Sequence, residues 1–194
     1  MVFASDVIYH FSWRGVEESV SESVSRRDRA FVEIQLGRPP RDIHGIAFRC
    51  PCGAPAVVET KPRLEDGTPF PTFFYATCPR LTSAISTLEN SSLMSEMNER
   101  LAHDAELSGA YRAAHDDYLA ARATAGMDVP EIADISAGGM PDRVKCLHSL
   151  VAHSLAAGEG VNPLGDEARS LLRQWWLNSP CSSLVTAPNE SSDE

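Results

Sequence analysis

Four cysteines are the residues of this chain whose type and spacing could support metal chemistry: Cys50, Cys52, Cys78 and Cys146. The first two stand one residue apart in the segment RCPCG, like a fragment of a metal-binding knuckle. A structural zinc site takes four Cys or His ligands in a tetrahedron, and two Cys-x2-Cys pairs are its strongest signature. One Cys-x-Cys pair followed by two single cysteines is a weaker signature of the same site. The sequence therefore makes zinc the candidate ion and these four thiolates its candidate ligands.

The elements around the first three cysteines predict that they meet at one end of a small sheet. Residues 42–49 alternate in polarity, residues 56–61 are β-branched, and residues 70–78 are rich in aromatic residues and Thr, all typical of strands. An Asp-Gly pair indicates a turn between the second and third segments. The segment RCPCG would then join the first two strands, and Cys78 would end the third strand where Pro79 begins a helix.

The rest of the chain predicts helices, because its apolar residues recur at helical spacing. One short helix is expected before the strands, at residues 28–36. The others are expected after them, at residues 79–88, 93–101, 107–123, 141–157 and 163–177. Strands followed by helices predict an α+β fold, with a small three-stranded antiparallel sheet near the N-terminal half packed by about five helices.

Composition divides the chain into three parts. Residues 1–26 show no clear amphipathic stripe, and we expect a flexible N-terminal extension there. Residues 181–194 are rich in Ser and acidic residues and are expected to form a flexible acidic tail. Residues 27–180 are long enough to bury one core and are predicted to form a single domain.

The fourth metal ligand depends on the geometry of the helix expected at residues 141–157. On a regular helix Cys146 and His148 face opposite ways, since two residues turn through about 200°. Cys146 and His153 share a face but are separated by about 10 Å along the axis. The helix is therefore expected to supply one ligand, Cys146, with His148 next in order. The plainer interpretation makes Cys78 and Cys146 small core residues, because cysteine is among the most buried residue types.

Each candidate cysteine has a cation close to it in sequence, although the formal net charge of the chain is −10. The candidate anion-binding residues are Arg49, Arg80, Arg143 and Lys145. If their segments converge, these residues would form a basic pocket with helix starts at Pro79 and Pro141, suited to a phosphate or carboxylate. The alternative is that they are ordinary solvated charges that balance Asp and Glu.

Composition also excludes some partners. The acidic balance argues against nucleic-acid binding, which needs clustered Lys and Arg. No apolar run approaches the roughly 18–20 residues of a membrane span. Five cysteines without a secretory signal pattern indicate a reducing cytoplasm. Trp175 and Trp176 close the last predicted helix, where one of them could face a protein partner even if every cysteine is unligated.

Three segments of the chain resemble the DUF501 family of actinobacterial proteins. They begin with RCPCGAPAVV, LENSSLMSEM and SAGGMPDRVK, and the resemblance covers about residues 29–181, including the final Trp-Trp and Pro-Cys pairs. The family has no assigned function, so the resemblance implies a shared fold but does not indicate which activity the chain has.

Two functions stay open at this stage. The first is a non-enzymatic cytoplasmic binding or regulatory protein, with a Cys-ligated zinc site beside a basic anion-binding pocket. The second is a metal-assisted hydrolase or transferase acting on a phosphorylated small molecule or polyphosphate, with His148 or a metal-bound water as base. A closed four-cysteine site would favour the first, and three ligands with an open position the second.

Overall fold

The computed structural model describes residues 23–177, and this part holds one three-stranded sheet and six α-helices. The bounds are α1 Arg26–Leu36, β1 Ile43–Arg49, β2 Pro55–Thr60, β3 Phe74–Ala76, α2 Pro79–Glu89, α3 Leu93–His103, α4 Ala105–Ala123, a 3-10 helix Pro130–Ile132, α5 Leu147–Ala157 and α6 Pro163–Ser170. The α+β prediction, with its small antiparallel sheet in the N-terminal half, is confirmed. Most of the predicted extension, residues 1–22, and the predicted acidic tail lie outside the described residues.

The sheet is antiparallel in the order β1-β2-β3, and all six residues of the central strand β2 are buried. Side chains of a strand alternate between the two faces of the sheet, so full burial requires a cover on both sides. Val58 packs with Val32 of α1 on one face, whereas Val57 joins the larger core formed with the later helices. As predicted, RCPCG forms the turn between β1 and β2, where the Cys50 amide donates to the Ala54 carbonyl at 2.8 Å.

Helix α5 lies at the centre of the larger core. Leu147, Leu150 and Val151 are fully buried, and the helix packs against β3, α2 and α6. Within residues 23–177, none of the helices is long and apolar enough to cross a membrane.

The prediction of a helix over residues 141–157 is wrong in its first part, because α5 begins only at Leu147. Residues before it are held by a pair of glycines. The Gly138 carbonyl accepts hydrogen bonds from the amides of Lys145 at 2.7 Å and Cys146 at 3.2 Å. In an α-helix each amide donates to the carbonyl four residues earlier, whereas these two amides both donate to Gly138. The chain at residues 145–146 is therefore not helical, and Pro141 does not start a helix.

The start of α1 and the end of α6 also differ from the prediction. Helix α1 begins at Arg26, because Ser25 and Asp28 form a capping box that satisfies the first amides of the helix. Helix α6 ends at Ser170 rather than near residue 177, and only turns follow it up to Leu177.

A buried arginine organises the long connection between α4 and α5. Arg122 is 6% exposed and donates to the carbonyls of Ile132 and Ile135, each at 2.5 Å. The carbonyls of Pro71 and Ala133 accept longer bonds from the same guanidinium, each at 3.3 Å. Arg122 thus fixes the path of the chain just before the two glycines that hold Cys146.

Candidate functional site

Glu89, Cys146 and His148 form a cluster of metal-ligand types in the described part of the chain. One ligand atom from each residue lies within 4.8 Å of the other two. Glu89 is the last residue of α2, Cys146 is the N-cap residue of α5, and His148 lies in the first turn of α5. The cluster therefore sits where the end of one helix meets the start of another.

The backbone at the start of α5 brings Cys146 and His148 together. Cys146 has the extended conformation φ −151°, ψ 113°, so it does not follow the 100° turn per residue of the helix. The prediction that Cys146 and His148 face opposite ways is wrong for this reason. The two side chains interact directly, and His148 joins the cluster rather than standing as an alternative to Cys146.

Glu89 connects α2 to the start of α5. Its Oε1 atom accepts a hydrogen bond from the Leu147 amide at 2.6 Å and lies 3.1 Å from Nδ1 of His148. The first amides of a helix have no partner inside that helix. The Glu89 carboxylate accepts a hydrogen bond from one of these amides, that of Leu147. Its contact with Nδ1 also orients the imidazole ring of His148.

The other ring nitrogen of His148 is held by the backbone of α2. Nε2 lies 3.1 Å from the Thr82 carbonyl oxygen, and a carbonyl only accepts, so Nε2 carries a proton and donates it. Histidines that bind metals commonly donate their second ring N–H to a carbonyl in this manner. The arrangement leaves Nδ1 as the nitrogen that faces Glu89.

Electrostatics favour a charged pair between Cys146 and His148. Interaction with the Cys146 thiol raises the pKa of His148 to about 9, against the effect of burial and with help from Glu89. Burial raises the pKa of Cys146, but hydrogen bonding to His148 and to the Ser149 amide outweighs it and leaves that pKa below its ordinary value. The two shifts act in the same sense, since each favours a Cys146 thiolate paired with a His148 imidazolium.

We expect iodoacetamide to alkylate Cys146 at least about tenfold faster than Cys50 at about pH 7, since the thiolate is the reacting form. Burial, with the neighbouring thiols of Cys52 and Cys78, raises the pKa of Cys50 to about 12. Peptide mass spectrometry after timed quenching of metal-free protein gives both rates in one sample. Equal rates would contradict the opposite directions of the pKa shifts of Cys146 and Cys50.

The structure divides the four predicted cysteine ligands. Cys50 directly follows β1 and Cys78 is the N-cap of α2. Cys50, Cys52 and Cys78 pack in the same apolar core, but the metal-ligand cluster found among the described residues includes none of them. Cys146 instead lies beside Glu89. The eleven residues of α2 span about 16 Å between Cys78 and Glu89. The structure does not bring the four cysteines to one point.

The four predicted anion-binding cations are also divided. Arg49 makes a two-pronged ion pair with Asp28, with N–O distances of 2.7 and 3.0 Å. Arg80 lies in the first turn of α2, at the far end from Glu89. Arg143 and Lys145 are exposed and precede Cys146 by three residues and by one, so these two lie close in sequence to a member of the cluster.

The Asp28–Arg49 pair predicts acid sensitivity. The hydrogen bond from Arg49 lowers the pKa of Asp28 from 3.8 to about 2, despite burial. A lowered folded-state pKa stabilises the fold above pH ~4, and this contribution of about 2 kcal/mol is lost as the pH falls through about 2. Urea unfolding at about pH 5 and about pH 2 should show a smaller loss of stability in Asp28→Asn than in the wild type. An identical loss in both proteins would contradict the assignment.

Glu89 is the cluster residue that sequence patterns do not predict. It lies 58 residues before Leu147, and no local pattern distinguishes it from a solvated residue at a helix end. Two residues of the polar segment AAHDDY, the buried His115 and the exposed Asp117, also make side-chain contacts. His115 is buried with Nδ1 2.9 Å from Ser136 Oγ, and Asp117 lies 2.8 Å from Nε2 of the fully buried His153.

Comparison with protein families gives a match over residues 46–170 to a family described as "Protein of unknown function (DUF501)". No curated protein and no solved structure matches the chain. The family match spans well over half of the 194 residues and includes every member of the cluster. The chain belongs to the DUF501 family.

Proposed function

We propose that Glu89, Cys146 and His148 bind one zinc ion with an open coordination position, and that this centre hydrolyses a phosphorylated substrate. The observation that carries the proposal is the convergence of carboxylate, thiol and imidazole donors within 4.8 Å. The Thr82 carbonyl supports it, because it turns Nδ1 of His148 toward the other two donors.

The donor set suits zinc. Zinc accepts sulfur, nitrogen and oxygen ligands together, whereas magnesium and calcium prefer oxygen alone. Three protein ligands with a vacant fourth position are typical of catalytic zinc, and closed four-ligand sets of structural zinc. The side chains of Glu89 and His148 are 24% and 28% exposed, so water has access to the cluster.

The residues take separate roles in the proposed reaction. Bound zinc would act as a Lewis acid and lower the pKa of a water molecule. His148 is a ligand rather than the general base, since Nε2 donates to Thr82 and Nδ1 faces the ligands. The exposed cations Arg143 and Lys145 would bind the phosphate groups of a small molecule or polyphosphate. A reducing cytoplasm would keep the Cys146 thiol available.

The first experiment is the metal content of untagged protein purified without chelator, measured by plasma mass spectrometry. We expect about one zinc per chain in the wild type, and near-complete loss in Cys146→Ser and His148→Ala. Cys52→Ser is the matched control, because this half-buried cysteine lies outside the cluster, and it should keep its zinc. A wild type without metal, or a Cys146→Ser variant with full zinc content, would overturn the proposal.

The hydrolytic part is tested separately with p-nitrophenyl phosphate and polyphosphate. Phosphate release should require zinc, and the double variant Arg143→Ala/Lys145→Ala should raise KM more than it lowers kcat. If the protein holds zinc but releases no phosphate from either substrate, the hydrolase proposal fails. A binding or regulatory protein with a zinc centre then becomes the better account.

A further inference from the structure

A cavity of about 480 Å³ lies along α2 on the side away from Glu89, Cys146 and His148. Its lining comes from α2 and from the end of the described chain: Pro79, Arg80, Ser83, Ala84, Thr87, Arg173, Gln174 and Trp175. Thr82, Ser86 and Glu89, which contact His148, occupy a different face of α2 at 100° per residue. This groove is therefore separate from the proposed metal centre.

The lining of the groove carries two cations and no carboxylate. Arg80 and Arg173 both line it, and within residues 23–177 neither guanidinium pairs with a carboxylate. The Trp175 Nε1 atom is buried and finds no acceptor in the same part of the chain. Two cations without carboxylates beside an apolar wall suit an occupant that carries both acidic and apolar side chains.

A segment of this composition follows directly in the sequence. Residues 178–194 contain three acidic residues, Glu190, Asp193 and Glu194, and no Lys, Arg or His. The apolar pair Leu184 and Val185 precedes the acidic residues. The described chain ends at Leu177, two residues after the groove residue Trp175, so the segment is tethered at the groove itself.

We infer that residues 178–194 dock in this groove, with their carboxylates on Arg80 and Arg173 and the apolar pair against Pro79, Ala84 and the Trp175 ring. A short tether gives the segment an effective concentration of the order of millimolar, so even a weak contact is populated. The docked segment would exclude any other acidic peptide from the same surface. This inference is independent of the zinc centre, since it uses no residue of the cluster.

Photo-crosslinking in the full chain tests the docking. p-Benzoylphenylalanine at Ser83, an exposed groove residue, should crosslink within one chain to residues 178–194. The same group at Ser95, exposed on α3, is the control and should not. The crosslink should disappear in Glu190→Gln/Asp193→Asn/Glu194→Gln. Crosslinks to another region, to a second copy or to no peptide at all would overturn the inference.

A binding measurement gives a second and independent result. A fluorescein-labelled peptide of residues 178–194 should bind the Glu190→Gln/Asp193→Asn/Glu194→Gln protein at least about tenfold more tightly than the wild type, whose own segment competes. Adding Arg80→Ala and Arg173→Ala to that variant should weaken peptide binding at least about tenfold and reduce its salt dependence. Equal affinities in the three proteins would refute the docking, even if every one of them folds and binds zinc normally.

Discussion

Arg122→Met is expected to lower the free energy of unfolding by about 3–5 kcal/mol. The side chain is almost fully buried, and its guanidinium donates to the carbonyls of Pro71, Ile132, Ala133 and Ile135. Methionine keeps much of the aliphatic volume but supplies no donor. Each buried carbonyl left without a partner costs about 1–3 kcal/mol, although water can reach some of them.

Arg112→Met is the matched control, because Arg112 lies on the same helix α4 and its side chain is 60% exposed. Its ion pair with Asp142 is long, at 3.6 Å, and the partner side chain is 81% exposed. Exposed pairs of this kind contribute about 0–1 kcal/mol. Urea denaturation of the wild type and both variants gives the comparison. Similar losses in the two variants would show that charge or helix propensity, rather than the four carbonyls, determines the effect.

Gly139→Ala is the second substitution with a large expected effect. Gly139 has φ +94°, and an added Cβ would lie 2.6 Å from the Arg143 carbonyl oxygen and 2.9 Å from Lys145 Cβ. Left-handed backbone costs a non-glycine residue about 1–2 kcal/mol, and the contact with a backbone atom adds to this. We expect a total loss of about 3 kcal/mol or more in the free energy of unfolding.

Gly67→Ala separates the two contributions to that loss. Gly67 has φ +84°, but an added Cβ would meet nothing within 4 Å, so this control carries the backbone strain without the clash. Thermal unfolding should show the smaller shift for Gly67→Ala. Only Gly139→Ala should also weaken zinc binding. Its added Cβ would displace Arg143 and Lys145, which precede the proposed ligand Cys146 in the chain. Equal shifts in both variants, with zinc binding unaffected, would contradict the role given to Gly139.

The parts of the fold that could be predicted from the sequence are those with local causes. The β-branched run of β2, the turn at RCPCG and the helix start at Pro79 depend on residues close together in the chain. Helix periodicity likewise gave α3 and α4 with bounds within about two residues of those observed.

The candidate site was harder to predict, because its causes are not local. Cys146 is extended since the Gly138 carbonyl, eight residues earlier, binds its amide, and a regular helical pattern does not reveal that bond. Glu89 enters the site only because α2 packs on the start of α5. Once Cys146 was assigned to a helix interior, His148 could only be an alternative to it rather than its neighbour. The wrong helix start therefore separated His148 from Cys146 in the prediction.

Because its ligands are far apart in sequence, the proposed ion would also contribute to the stability of the fold. Glu89 and Leu147 are 58 residues apart, and α3 and α4 lie between them. An ion held by Glu89, Cys146 and His148 would close this long loop as a covalent cross-link does. In the chain-entropy model, closing a loop of that length destabilises the unfolded chain by about 4 kcal/mol. Even with an open coordination position, the centre would thus cross-link α2 to the start of α5 and stabilise the helical half of the protein.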